Sequence, residues 1–293
     1  MAPAIHVGPE PLEHLVKAVE DGGATVTDRI EDAEAVVWAG SETELGELPA
    51  GVKWVQLQSA GIEPWVERIR VTPQVQWTSA VGAYATQVAE HALALLLAGT
   101  RGIHRYARKK NWEPQDERVL EGSTVAVIGA GGIGHELIRL LEPHQVNIVP
   151  VTRSGRDGTV PVSELGTVWG RADHFVLCAP ATEDTEHLVG AEELAQLQPH
   201  SWIVNIARGS LIDTHALVEA LPRIGGAALD VTDPEPLPED HILWTRPNVL
   251  ITPHVANPPS TMQRDLAKRV QENVRRYVAG EELLAPVDPE QGY

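Results

Sequence analysis

The 293-residue sequence predicts an α/β chain of two domains, each built on a parallel sheet. Three observations point there. Short, β-rich apolar runs alternate with helix-compatible stretches through the middle of the chain, the rhythm of a doubly wound parallel sheet. Several of these runs are apolar on consecutive residues, as strands covered on both faces must be. The first eighty residues repeat the rhythm more weakly, which implies a second, smaller α/β unit.

Taken in order, AIHVG, ATVT, AVVWAG and VKWVQLQ read as strands near the N-terminus. PLEHLVKAVED reads as a helix, with Leu12, Leu15, Val16 and Val19 at helical spacing. In the middle, strands are expected at 124–128, 147–152, 174–179, 202–206, 226–231 and 249–252, with helices at 133–141 and 214–221. Two longer helices, at 86–110 and 260–279, can join the units. If both cross over, the smaller domain is discontinuous, made of 1–92 plus 262–293, around a central domain of 93–261.

Composition narrows the function. Hydrophobic residues make up 43% and charged residues 22%, as in folded globular chains. A net charge of −18 argues against a nucleic-acid or anionic-membrane partner, since both need excess positive charge. The single cysteine, Cys178, excludes an internal disulfide and a zinc site built on several cysteines. In the apolar run HFVLCAP it is expected to be buried and inert. The N-terminus lacks the basic and apolar blocks of a signal peptide. The longest apolar run, ALALLLAG from Ala92, is too short to span a bilayer. A cytoplasmic protein is the expectation. His6, His14, His104 and His135 form no ligand grouping, so no metal is expected. His91, inside an apolar helix, reads as structural.

Gly129-Ala130-Gly131-Gly132-Ile133-Gly134 fits G-x-G-x-x-G between a strand and an amphipathic helix. Gly129 permits the tight turn, Gly131 lets the backbone approach a pyrophosphate, and Gly134 lets helix and strand pack closely. The pyrophosphate would lie at the positive end of the helix. The next strand ends in Val151-Thr152-Arg153-Ser154-Gly155-Arg156. A carboxylate there would accept hydrogen bonds from a ribose 2′-hydroxyl and repel a 2′-phosphate. Arg153 does the reverse, with Ser154 adding a hydroxyl and Arg156 a second charge, so NADP(H) is preferred and NAD(H) remains possible. The alternative is a solvated loop, in which Asp157 pairs with either arginine.

Three further polar groups lie just beyond apolar strands: Arg208 in VNIARGSLID, Asp230 and Glu235 in AALDVTDPEPLP, and His254 in VLITPHVAN. In an open parallel sheet, ligands bind outside the carboxyl ends of the strands, the edge that also holds the glycine turn. A dinucleotide at this edge would bring hydride chemistry, and reducing a carbonyl also needs a proton delivered to oxygen. His254 is the best proton donor, since an ordinary imidazole titrates near neutrality. Glu235 would hold the ring and favour its protonated form. Arg208 places a cation on the same edge, able to bind an anionic group. Taken singly, the alternatives are a turn residue for His254, a solvated loop acid for Glu235 and a strand-end cap for Arg208.

With these residues in view, the chain resembles the D-isomer-specific 2-hydroxyacid dehydrogenases. G-x-G-x-x-G, N-x-A-R-G, L-D-V-x-x-x-E-P-L and T-P-H occur in that family's order, and the likeness runs from the first strands to the closing PVDPEQGY. LCAPATEDTEHLVG resembles its P-x-T-x-x-T segment, and VGAYATQVAEHALALLLA its first crossover helix. Within the family the chain looks closest to the glyoxylate/hydroxypyruvate reductases.

The resemblance implies two Rossmann-like or flavodoxin-like domains with an active site in the interdomain cleft, and a homodimer. It implies Arg208, Glu235 and His254 as the catalytic set, with Arg208 and His254 also touching cofactor and substrate. It places Cys178, Pro180, Thr185, Ile206 and Ala207 at the cofactor. It also puts Asp230 on the nicotinamide carboxamide, with a turn-forming role as the alternative. Ser59, Ala60 and Gly61 in LQSAGIEPW would offer backbone N–H groups to the substrate carboxylate. Trp38 and Trp65 are candidates for the pocket wall, and Trp112 for an arm reaching a partner subunit, with ordinary packing as the alternative for all three. Two other functions fit the same motifs: an NAD-linked biosynthetic dehydrogenase of a 3-phosphoglycerate-like acid, or a non-enzymatic dinucleotide-sensing protein.

Overall fold

The computed structural model describes residues 2–115, 117–288 and 290, so the end of PVDPEQGY lies partly outside the described residues. The chain forms two compact units, Met1–Tyr84 with Pro258–Tyr293, and Ala85–Asn257. Both are α/β, and every strand pair in their two sheets is parallel.

The smaller unit contains β1 (Ala4–Gly8), α1 (Glu13–Asp21), β2 (Thr25–Thr27), β3 (Ala35–Trp38), β4 (Trp54–Leu57), α2 (Val66–Val71) and β5 (Gln76–Thr78). Its sheet runs β2-β1-β3-β4-β5, the flavodoxin-like order. The C-terminal helix α8 (Pro259–Ala279) belongs here and packs on α1. A buried amide pair fastens it to the sheet: Asn273 Nδ2 donates to Gln56 Oε1 at 2.7 Å. Burying two amides is tolerable because their remaining groups are met too, Gln56 Nε2 donating to the Leu57 and Ser79 carbonyls and Asn273 Oδ1 accepting from Leu284 N.

The larger unit contains α3 (Ala85–Thr100), α4 (Ile103–Arg108), β6 (Thr124–Ile128), α5 (Gly132–Leu141), β7 (Asn147–Thr152), β8 (Val160–Pro161), β9 (His174–Leu177), α6 (Ala191–Gln196), β10 (Trp202–Asn205), α7 (Thr214–Ala220), β11 (Gly226–Leu229) and β12 (Val249–Ile251). Its seven strands run β12-β11-β10-β9-β6-β7-β8. Strand order reverses between β6 and β9, the switch point where such sheets open a crevice at their carboxyl edge. All residues of β9, β10 and β11 are buried, which is why these runs lack polar alternation.

Several expectations need correction. The helix expected at 86–110 is two helices, because Gly102 takes φ +60 between α3 and α4. The left-handed region ends a helix, and glycine enters it without steric cost. β5 and β8 were not expected, being too short to show a period. The units divide at Tyr84 and Pro258, whereas the sequence reading divides the chain inside both long helices. The helices stay whole because α3 packs on α5 and β10 while α8 packs on α1. Trp38 and Trp65 are not pocket surface. Both are buried in the smaller unit's core, where Trp65 packs on Trp77 with ring centroids 5.9 Å apart. Trp112 has no such packing and is 98% exposed. No helix among the described residues is long and apolar enough to cross a membrane.

In the larger core, Phe175 of β9 is fully buried against Trp169, with centroids 5.1 Å apart. Phe175→Ala is expected to destabilise this unit by about 3–5 kcal/mol, the usual range for an aromatic cavity, measured as a fall in its urea midpoint.

Candidate active site

The glycine turn joins β6 to α5. Gly129 has φ +94, and a Cβ on it would collide with the Ala179 backbone, so only glycine fits. A Cβ on Gly134 would lie 2.5 Å from the Gly129 carbonyl oxygen, which shows how closely helix and turn pack. Gly131 is different, since nothing lies within 4 Å of where its Cβ would be. The open backbone stands at the N-terminus of a ten-residue helix, whose first N–H groups have no intrahelical acceptor. An anionic pyrophosphate fits this cradle, with Gly131, Gly132, Ile133 and Gly134 around it.

The loop after β7 carries Arg153, Ser154, Arg156 and Asp157, all exposed. It is shaped by its threonines: Gly155 N donates to Thr152 Oγ1 at 3.1 Å, and the Thr152 and Thr159 hydroxyls lie 2.6 Å apart. Asp157 adopts φ +56. No ion pair joins it to Arg153 or Arg156 among the described residues, so the competing interaction within the loop is not made.

On the other side of the switch point, β9 leads into Cys178 and Pro180. Burial of its sulfur pushes the Cys178 thiol up to about 12, so it stays protonated although the residue is partly exposed. Thr185 staples the following turn, its hydroxyl donating to the Pro180 carbonyl at 2.8 Å and accepting from Thr182 N at 2.8 Å. After β10 the chain turns through Ile206 and Ala207, both buried. Asn205 dictates this turn: its Oδ1 accepts from Ala207 N at 3.0 Å, and its Nδ2 donates to the Arg208 carbonyl at 2.8 Å. Arg208 is half-buried, and its Nη1 donates to the Ala207 carbonyl at 2.8 Å. A Cβ on the next residue, Gly209, would collide with the Thr232 carbonyl, so this loop lies directly on the turn leading to Glu235.

His254 and Glu235 meet. Nδ1 of the ring lies 2.7 Å from Glu235 Oε1. A carboxylate accepts, so Nδ1 carries hydrogen and Nε2 faces away from it. Both residues are exposed, open to a small ligand. His254 itself has φ +51, a conformation rare for a non-glycine residue and kept only where neighbours impose it.

The neighbour is Asp230, which is buried. Its Oδ1 accepts from Thr252 Oγ1 at 2.6 Å and Val255 N at 3.0 Å, and its Oδ2 from Ala256 N at 3.1 Å. Its carbonyl also accepts from His254 N at 2.8 Å. Burial works to raise the Asp230 carboxyl, but the bonds from His91, Thr252, Val255 and Ala256 outweigh it and bring it down to about 2. Its carboxylate thus shapes the turn that carries His254. Sequence reasoning missed Asn205, Thr252 and the reach of His91 to this carboxylate. The first lay in the N-x-A-R-G motif, and a buried asparagine beside a strand end is its only sequence signal.

In the smaller unit, Ser59, Ala60 and Gly61 follow β4, with the Ser59 carbonyl accepting from Ala80 N at 2.9 Å. None of their N–H groups donates to another described residue. Among the described residues, no group of three or more His, Cys, Asp or Glu could hold a metal ion.

Known proteins share this architecture. The family description D-isomer specific 2-hydroxyacid dehydrogenase, NAD binding domain, matches residues 92–256. The chain is 39% identical to the uncharacterized protein in the proB 3′ region of Corynebacterium melassecola, over 97% of this chain and 98% of that one. It is 31% identical to glyoxylate/hydroxypyruvate reductase A of Photorhabdus laumondii, over 85% of this chain and 75% of that one. It is also similar to the crystal structure of a D-isomer specific 2-hydroxyacid dehydrogenase from Xanthobacter autotrophicus in complex with NADPH and MES. There the TM-score is 0.84, at 26% identity over the whole of both chains.

The lowered Asp230 carboxyl makes the unit acid-sensitive. Its charge contributes stability at pH values above the ordinary carboxylate range, and this is lost as pH falls from about 4 through about 2. Asp230→Asn is expected to be less stable than wild type at pH 6. The gap should narrow as pH falls toward 2, checked by urea midpoints across that range.

Proposed function

The chain belongs to the D-isomer specific 2-hydroxyacid dehydrogenases, and from that premise we propose that it reduces a small 2-oxo acid of the glyoxylate or hydroxypyruvate kind to the D-2-hydroxy acid, with NADP(H) preferred over NAD(H). The observation that carries this reading is the 2.7 Å pair of His254 Nδ1 and Glu235 Oε1. It stands on the carboxyl edge of the sheet that also holds the glycine turn.

The bound dinucleotide supplies the hydride for the carbonyl carbon. The protein's residues do the rest. Glu235 holds the imidazole by its Nδ1–H, so Nε2 is the atom that gives its proton to the carbonyl oxygen. Arg208 binds the substrate carboxylate through its guanidinium and draws charge from the carbonyl. The unspent N–H groups of Ser59, Ala60 and Gly61 are assigned as further substrate donors.

The cradle at Gly129, Gly131, Gly132, Ile133 and Gly134 holds the pyrophosphate. Cys178, Pro180, Thr185, Ile206, Ala207 and Asp230 are assigned to the rest of the dinucleotide. Arg153, Ser154 and Arg156, all exposed just after β7, are assigned to the 2′-phosphate. Homodimerisation is assigned to the segment around Trp112, whose 98% exposure leaves its ring without a partner surface in the single chain.

Three experiments test this. Initial rates with glyoxylate and hydroxypyruvate, each with NADPH and NADH, are expected to favour NADPH. His254→Ala is expected to lower kcat by about 10²–10⁴-fold with cofactor binding retained, the range for a lost general acid, and unchanged turnover would overturn the mechanism. Arg153→Asp is expected to shift the NADPH/NADH ratio of kcat/KM toward NADH by roughly tenfold or more. It removes a charge-assisted bond of about 1.5–3 kcal/mol.

A further inference from the structure

His91 lies on α3, and its ring reaches the segment that carries His254. Nε2 stands 3.0 Å from Thr252 Oγ1 and 3.3 Å from Asp230 Oδ1. The Thr252 hydroxyl gives its hydrogen to Asp230 at 2.6 Å, so toward His91 its oxygen can only accept. Nε2 of His91 therefore carries hydrogen and donates to the pair. One turn earlier on the same helix face, Gln87 Nε2 donates to Asn257 Oδ1 at 3.1 Å. Two side chains four residues apart thus grip both ends of the 252–257 segment.

This grip matters because of what the segment holds. His254 sits at φ +51, in a conformation that its own chain disfavours. The Asp230 carboxylate imposes that conformation by collecting Val255 N and Ala256 N. Its Oδ1 also takes Thr252, whose oxygen in turn accepts from His91. A half-buried imidazole beside the apolar run ALALLL is offset only by bonds of this kind. A leucine at this position would have continued the run ALALLL without them.

We propose that His91 is a positioning residue for the dehydrogenase reaction: its Nε2–H, donated to the Thr252–Asp230 pair, holds the 252–257 segment so that His254 faces Glu235. The proposal rests on the reading of His254 as proton donor, but the grip itself has a readout independent of turnover. It assigns the helix a role in catalysis although His91 touches neither of the reacting partners.

The test compares His91→Gln with His91→Asn in the full-length protein. Glutamine carries an amide N–H at the reach of the imidazole Nε2, whereas asparagine falls one bond short. His91→Asn is expected to lower kcat with glyoxylate or hydroxypyruvate by roughly tenfold, as small misplacements of a reacting group do, with the NADPH dissociation constant unchanged within about twofold. In hydrogen exchange, peptides spanning 252–257 of this variant should exchange about tenfold faster than wild type. His91→Gln should stay near wild type in both measurements. Equal behaviour of the two variants, whether both normal or both impaired, overturns the proposal. If wild type reduces neither acid, the functional reading fails and exchange alone decides. Protection of 252–257 in His91→Asn equal to wild type then overturns the positioning role as well.

Discussion

The buried Asp230 carboxylate organises the carboxyl edge of the larger unit's sheet where β11 and β12 end. An unpaired ion at this depth would be costly. Here both oxygens are engaged, by a hydroxyl, two backbone N–H groups and the approach of an imidazole. The donors all come from β12's exit loop or from α3, so satisfying the charge pulls those elements onto the end of β11. The left-handed turn at His254 is a consequence of that demand. The chain must bend sharply there to bring Val255 and Ala256 back to a carboxylate that the sheet holds in place.

The parallel sheet makes this possible. Its strands end together, so loops from β6, β9, β10, β11 and β12 leave from one edge. Close backbone approaches lock neighbouring loops together, as where Gly129 meets Ala179 and Gly209 meets Thr232. Gly209 is needed for that proximity alone, whereas Gly129 is needed both for proximity and for its φ of +94. Asn205 adds a side-chain clamp at the end of β10, which shapes the turn that presents Arg208.

How legible each part was follows from how local its cause is. The strands of the larger unit and the G-x-G-x-x-G turn depend on consecutive residues, so they could be read directly, with errors of a residue or two where strands end. The break at Gly102 was not legible. A glycine costs only about 1 kcal/mol inside a helix, so its presence does not say whether the chain turns left-handed there. Trp38 and Trp65 were equally undecided. A large aromatic beside a strand suits a core as well as a pocket, and only the packing with Trp77 assigns Trp65 to the core. Asp157 is a further case: its sequence neighbours suggest an ion pair with an arginine, and only the folded loop, where Asp157 takes φ +56, decides whether that pair forms.

By itself the sequence determined the fold class, because strand runs and their alternation with helices have a local cause. It singled out Arg208, Glu235 and His254 only through the order of several motifs, since each residue read alone also fits an ordinary loop. Only the tertiary structure decided which partners those residues keep. Asp230 finds its donors 22 to 26 positions away, and His91 meets Thr252 across 161. Such pairs depend on strand order and on how α3 packs, and no local pattern encodes either.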